Sequence, residues 1–345
     1  MIKLSCRHLW KVFGSRPAHY FEAHDQSADP LVVAEKMRAE GCLPAVADAS
    51  FEVMAGEIFV IMGLSGSGKS TLVRCLSRLV EPSMGEIVLD GRDLSKVSGK
   101  ELIKLRRHTM GMVFQNFGLL PHLTALDNVA FPLKIQGKAL RERQARAREM
   151  IALVGLEGRE GSFPHQLSGG QQQRVGIARS LAVGPELWFL DEPFSALDPL
   201  IRKQMQDEFL RLQRMLQKTI VFITHDIAEA FRLADRLAIM RGGRIVQIGR
   251  PAEIVLNPAD DYVAQFTEDM PLMRIIKAGD LATPADGATA DNTISSSASL
   301  EELVPRIASG ARVFTVVSDE NIPPAILSAD AVLDVLKRDA ARGGP

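Results

Sequence analysis

The run Gly63-Leu64-Ser65-Gly66-Ser67-Gly68-Lys69-Ser70 has the pattern G-x-x-x-x-G-K-S. Its chemistry is phosphate binding. The glycines let backbone N–H groups turn inward around a β-phosphate, and the start of the next helix adds partial positive charge. Lys69 is spaced to reach the β and γ oxygens, the Ser70 hydroxyl to ligate Mg²⁺, and Thr71 continues the cradle. A second group supplies a reaction for such a ligand. Leu187-Trp188-Phe189-Leu190-Asp191-Glu192 is an apolar run that ends in two acids. Asp191 is expected on the Mg²⁺ side, directly or through water, and Glu192 is expected to orient or deprotonate the attacking water. A third group, Leu167-Ser168-Gly169-Gly170-Gln171, lies about twenty residues before the acidic run and opens a helix, which makes a second anion site. One chain does not need two γ-phosphate sites for one nucleotide. The arrangement therefore predicts a head-to-tail dimer in which each copy's second site closes over its partner's phosphate loop.

These residues need elements to hold them. Ile58–Met62 is a short β-rich run between glycines, which suits a buried parallel strand, and Lys69–Val80 has helical spacing. Residues 186–190 and 219–224 are further buried-strand runs, each followed by a helix. Strand–helix alternation of this kind predicts an α/β chain with a largely parallel sheet. Residues 1–13, Ala45–Val53 and 85–90 also read as strands. Residues 14–44 are polar and mixed, with a helical stretch around Leu31–Glu40, and residues 99 to about 180 are mainly helical. Residues 281–300 are rich in Ala, Thr, Ser, Asp and Gly and read as linker, after which 301–340 gives a helix, a β run at Arg312–Val317 and a final helix. No internal repeat is visible.

The motifs together resemble the ATP-binding-cassette (ABC) ATPases, in which Leu167–Gln171 matches the signature motif at its usual spacing from the phosphate loop and the acidic strand. The resemblance covers about residues 1–265. It implies a RecA-like core, an antiparallel β subdomain and a helical signature subdomain at about 99–180. It also implies site roles. Gln115, in Met112-Val113-Phe114-Gln115-Asn116, looks like the glutamine that contacts Mg²⁺ or water and links to the membrane partner. Ser195-Ala196-Leu197-Asp198 resembles the D-loop, which touches the opposite subunit. His225, 34 residues after Asp191, resembles the switch histidine at the γ-phosphate. Phe13 matches the aromatic position that stacks on adenine, where the family usually has Tyr; Trp10 is the alternative. The insertion 14–44, the stretch Gly56–Gly68 and Phe266-Thr267-Glu268-Asp269-Met270 resemble the glycine betaine/proline type of quaternary-amine importer ATPase. In that group the tail carries paired CBS modules. Here 299–345 resembles one such module, behind a linker at 266–298.

Composition bounds the function. The chain has 345 residues, 41 Lys+Arg against 42 Asp+Glu, and a formal net charge of −1. The total hides a split: residues 277–345 carry −4 and the rest +3. A near-neutral total argues against a nucleic-acid coat protein. The arginines at 141, 143, 146 and 148 interleave with acids and read as a solvated helix face. No stretch approaches the roughly 18–20 apolar residues of a membrane span, and no secretory signal is visible. Three scattered cysteines form no disulfide framework or CxxC site, which points to a reducing compartment. The expectation is an ATP- and Mg²⁺-dependent ATPase working as a homodimer on the cytoplasmic face of the membrane. It would dock on a separate permease, with a substrate-binding protein engaged indirectly, to import a quaternary amine. An importer of an amino acid or polyamine is the nearest alternative. ABC-type ATPases of DNA repair or translation fit poorly. Gly63 and Asp191 are only 128 residues apart, no CxxC zinc site exists, and there is one cassette.

Overall fold

In the computed structural model, residues 1–14, 21, 29–113, 118–285, 292–317 and 323–342 are described. The chain divides into two compact units, Met1–Val246 and Gln247–Pro345.

The first unit contains two sheets. β1 (Ile2–Phe13) pairs antiparallel with β2 (Leu43–Met54). β3 (Ile58–Met62) belongs to the other sheet, and α1 (Pro30–Ala39) lies between β1 and β2 in sequence. β4 (Met84–Leu89) and β5 (Arg92–Asp93) complete the antiparallel sheet in the order β2-β1-β4-β5. The six-stranded sheet has the order β10-β9-β3-β8-β7-β6, with β6 (Met110–Val113), β7 (Leu187–Asp191), β8 (Thr219–Thr224), β9 (Arg236–Arg241) and β10 (Arg244–Gly249). Neighbours from β9 to β6 are parallel. Every residue of β3, β7 and β8 is buried, the burial expected of central strands covered on both faces. The expected α/β architecture with a parallel core sheet is what the chain adopts.

Helices cover this sheet and extend from it. α2 (Lys69–Leu76) follows β3, and α3 (Gly99–His108) starts at a Ser98/Glu101 capping box. α4 (Ala125–Ile135), α5 (Leu140–Leu153) and α6 (Gly169–Ala182) pack on one another as a helical layer. α7 (Pro199–Leu216) follows β7, and α8 (Ile227–Leu233) follows β8. Trp188, Phe194, Phe209 and Phe222 form an aromatic cluster beneath α7 with ring centroids 5.8–6.2 Å apart. The inserted α1 is pinned by Val33, Ala34 and Met37, which are buried on Trp10, Val12, Cys42 and Ala47.

The second unit holds α9 (Pro251–Leu256), α10 (Asp261–Phe266), α11 (Leu272–Ile275) and α12 (Ala278–Leu281). Its sheet has the order β11-β14-β13-β12, from β11 (Thr283–Pro284), β12 (Thr293–Ser295), β13 (Val313–Val317) and β14 (Ala325–Ser328). α13 (Leu300–Ala308) and α14 (Ala329–Arg342) pack with α11. Much of the segment 266–298, expected as linker, is thus built into this unit. Leu272 and Ile276 are buried, and Leu272 N–H donates to Asp339 Oδ1 at 2.8 Å.

Candidate nucleotide-binding and hydrolysis site

The phosphate loop leaves the end of β3 and enters α2. Gly68 sits at φ +101° with its Cα against the Ala45 carbonyl; a Cβ there would lie 2.1 Å from that oxygen. Only glycine meets both conditions. The loop is tied to the turn after β9, because Gly243 N–H donates to Ser67 O at 3.0 Å and Gly243 O accepts from Ala47 N–H at 2.8 Å. Arg38 of α1 donates to Gly242 O at 2.9 Å. Sequence reasoning missed this brace. The Gly-Gly between two strand-like runs was the available signal.

Lys69 is 5% exposed. Its Nζ donates to Gly63 O at 2.8 Å and Leu64 O at 3.0 Å, so the ammonium is folded back under the loop. Burial lowers its pKa, against the opposing pull of Glu192 and Asp191. Ser70 Oγ donates to Asp191 Oδ1 at 3.0 Å, although 121 residues separate them. Burial raises the Asp191 pKa, and the Ser70 hydrogen bond partly offsets this. A hydroxyl and a carboxylate oxygen beside a phosphate cradle form a hard-oxygen donor pair of the kind Mg²⁺ takes.

Glu192 follows Asp191 with φ +46°, an uncommon conformation for a non-glycine residue. Its N–H donates to Ile223 O at 3.0 Å, and its carbonyl accepts from Ser195 N–H at 3.3 Å and Ser195 Oγ at 3.0 Å. These bonds hold the turn, and Glu192 Oε2 lies 3.0 Å from His225 Nδ1. The pairing follows from topology. β7 and β8 are parallel neighbours with Asp191 opposite Ile223, so the residues just beyond them emerge at one sheet edge.

Ser168, Gly169, Gly170 and Gln171 open α6. Ser168 Oγ accepts Gln171 N–H at 3.3 Å, and Gln171 Oε1 accepts Ser168 N–H at 2.9 Å. Gly169 approaches Leu197, and a Cβ on Gly170 would meet Ile201 at 2.7 Å, so the signature turn rests on the D-loop and the first turn of α7. Asp198 caps α7 by accepting Ile201 N–H at 3.1 Å. Phe13, at the end of β1, is 44% exposed, with Lys11 Nζ 4.8 Å from its ring centroid. Trp10 is 4% exposed and packs edge-on against Phe21 at 5.7 Å. Gln115 lies outside the described residues.

The structure thus brings Gly63–Thr71, Asp191, Glu192 and His225 to the C-terminal ends of the parallel strands. It sets Ser168–Gln171 on a separate helix start. A groove of about 470 Å³ opens elsewhere on this unit, between α3, β6, α4 and the end of α6; Arg107, Phe131, Ile135 and Arg179 line it.

Residues 46–195 match the family model described as ABC transporter. The trimethylamine N-oxide transport system ATP-binding protein TmoW of Pelagibacter ubique is 53% identical over 319 residues, 92% of each chain. This chain belongs to the ABC transporter ATP-binding proteins. TmoW of Ruegeria pomeroyi is also 53% identical, over 96% of each chain. The glycine betaine/proline betaine transport system ATP-binding protein ProV of Escherichia coli is 49% identical over 281 residues, 81% of this cassette chain and 70% of that protein. Among solved structures, the ATP-binding cassette MJ0796, described as a dimeric post-hydrolysis state bound to ADP and Pi, is 32% identical. It superposes with a TM-score of 0.59 over 72% of this chain and 98% of that one. The ABC ATPase fold and its ATPase chemistry are therefore those of this cassette. Among the described residues, no helix is long and apolar enough to cross a membrane.

Proposed function

We propose that this cassette, as a homodimer docked on the cytoplasmic face of a membrane permease, hydrolyses ATP to drive import of a small methylated amine. The observation that carries the ATPase assignment is the pair of contacts at one sheet edge, Ser70–Asp191 at 3.0 Å and Glu192–His225 at 3.0 Å, beside the phosphate loop.

The roles follow from this geometry. The backbone N–H groups of Gly63–Thr71 and the start of α2 hold the β- and γ-phosphates, and Lys69 leaves its two carbonyls to neutralise them. Ser70 and Asp191, with Gln115, would hold Mg²⁺, which would supply charge neutralisation on the phosphates. Glu192 orients a water in line with the γ-phosphorus and takes its proton as the β–γ bond breaks. His225 donates to the γ-phosphate. Ser168, Gly169, Gly170 and Gln171 of the partner copy close the site from the opposite side, with Asp198 at the seam. Phe13 is the adenine platform. Its exposure supports that role, whereas Trp10 is already committed beneath α1.

The amine class rests on likeness. The trimethylamine N-oxide relatives match over 92–96% of both chains, and the betaine relative over 70% of its own. Trimethylamine N-oxide is thus the favoured solute and glycine betaine the second reading. The 299–345 segment is a single or degenerate CBS-like module, supported by its helix–strand–strand–helix order, with β12 just before it.

Glu192→Gln tests the ATPase assignment. Turnover should fall by about 100-fold or more, because a positioned base contributes about 10²–10⁴. ATP should still bind and should trap a dimer. Phosphate release at the parental rate would overturn the base role. Uptake of labelled trimethylamine N-oxide by the reconstituted complex, competed by glycine betaine, tests the solute.

A further inference from the structure

Two of the loops at this site open helices that lie side by side. The D-loop runs into α7, capped by Asp198, and His225 runs into α8, capped by Asp226. A polar ladder joins the two helices. Gln206 Nε2 donates to the buried Glu229 Oε1 at 3.0 Å, and Arg232 donates to Gln206 Oε1 at 2.9 Å and pairs with Asp207. The ladder's first rung is Arg202. Its Nη1 pairs with Asp226 Oδ2 at 3.2 Å, its Nε donates to Phe194 O at 3.3 Å, and its Nη2 donates to Leu197 O at 3.2 Å. One guanidinium thus holds the carbonyl of Leu197 in the D-loop, that of Phe194 just before it, and the carboxylate adjacent to His225.

Asp226 has little freedom to turn away. Its Oδ1 accepts Glu229 N–H at 3.0 Å, and its N–H donates to Thr224 Oγ1 at 2.9 Å. A planar, forked donor set can serve three acceptors at once, which a lysine ammonium at the end of a flexible stem does not reproduce.

We propose that Arg202 is a positioning residue that locks the Phe194–Asp198 loop and His225 into one body, so that the loop facing the partner copy sets the histidine facing the γ-phosphate. The proposal rests on the roles given above to the D-loop and His225, and the experiment separates the two. Steady-state ATPase is measured on the full chain for His225→Ala, Arg202→Met, Asp226→Asn and the Arg202→Met/Asp226→Asn pair, together with ADP affinity. Arg202→Met keeps the aliphatic stem. It should lower kcat by about tenfold or more while KM for ATP and the Kd for ADP move less than about threefold, because a small misplacement of a reacting group costs rate rather than ground-state binding. Asp226→Asn keeps the helix cap and removes the charge. Its loss and that of Arg202→Met should not multiply in the double variant, as expected for two members of one contact. Parental kcat in Arg202→Met, or losses that multiply, would overturn the proposal. Parental turnover in His225→Ala would instead overturn the reading on which it rests. If Arg202→Met does not fold, Arg202→Lys decides: a several-fold drop in kcat at unchanged ADP affinity supports the three-acceptor role, and a parental rate overturns it.

Discussion

Replacing Gly68 by alanine separates backbone strain from a steric block at the phosphate loop. Gly68 has φ +101°, and an added Cβ would sit 2.1 Å from Ala45 O. Real Cβ atoms essentially never come closer than 3.0 Å, so something must move by close to an ångström. The obstacle is backbone, and it is anchored, since Ala47 N–H is bonded to Gly243 O two residues on. The loop must therefore give way, carrying the Lys69 N–H and the start of α2 with it. A displacement of about 1 Å at a positioned group costs on the order of 100-fold, while the left-handed φ alone costs about 1–2 kcal/mol. Gly41→Ala isolates the second term: its φ is +80°, and no atom lies within 4 Å of the added Cβ. Mg-ATP affinity is measured by calorimetry with Glu192→Gln as parent, so that turnover does not intervene, alongside thermal melts. Gly68→Ala should lose about 100-fold in affinity. Gly41→Ala should lower Tm by several degrees and leave affinity within about twofold, as strain away from the loop reaches only stability. Affinity within about threefold of the parent in Gly68→Ala, or equal losses in both variants, would refute the reasoning that the loop is set by its contact with Ala45.

Three other outcomes follow from burial. Burial pushes the Cys75 thiol up to about 11 and that of Cys6 higher still, and Cys42 is also buried, so a maleimide at pH 8 should label none of the three until denaturant is added. Met37→Ala removes a fully buried side chain from the cluster holding α1 to β1 and should destabilise the chain by about 2–5 kcal/mol in urea unfolding. Burial raises the Glu229 pKa above 4.5, so the native state takes up a proton at higher pH than the unfolded chain and stability rises as pH falls through that window. Glu229→Gln, free of the charge, should therefore melt above the parent at pH 8, with the gap closing toward pH 4.5.

The parts of the site that lie along the chain were legible in it. Gly63–Ser70, Asp191-Glu192 and Ser168–Gln171 are linear patterns, and β3, β7 and β8 are unbroken apolar runs because both of their faces are covered. Contacts made by topology were not legible. The meeting of Glu192 with His225 depends on β7 and β8 being neighbours in one register, which no local pattern encodes. The choice between Phe13 and Trp10 stayed open because β1 is bulged between Cys6 and Val12, which breaks the alternation that assigns side chains to faces. No sequence pattern sets Arg202 apart from other arginines on an amphipathic helix. Only the fold shows that its three acceptors come from two different loops. Residues 266–298 read as linker from the Ala, Thr, Ser, Asp and Gly content of 281–300, yet Leu272, Met273, Ile276 and Ala278 before that stretch are buried.

Among the described residues, the polar side chains at the phosphate site already have partners within the chain. Lys69 is held by two carbonyls, Ser70 by Asp191, and His225 by Glu192. Binding ATP is therefore an exchange of partners, and exchange yields less ground-state affinity than adding new contacts. The last pair matters most for timing. On the roles proposed above, Glu192 Oε2 becomes available to a water once His225 turns to the γ-phosphate, and His225 is tied through Asp226 and Arg202 to the loop assigned to the partner contact. A lone copy leaves that loop unopposed and the base engaged by its own histidine. On those proposed roles, closure of the dimer would press the loop and move the histidine onto phosphate, releasing the base. On this account hydrolysis is withheld until two ATP-loaded copies have met, and the ordering comes from one carboxylate–imidazole contact rather than from a separate gate.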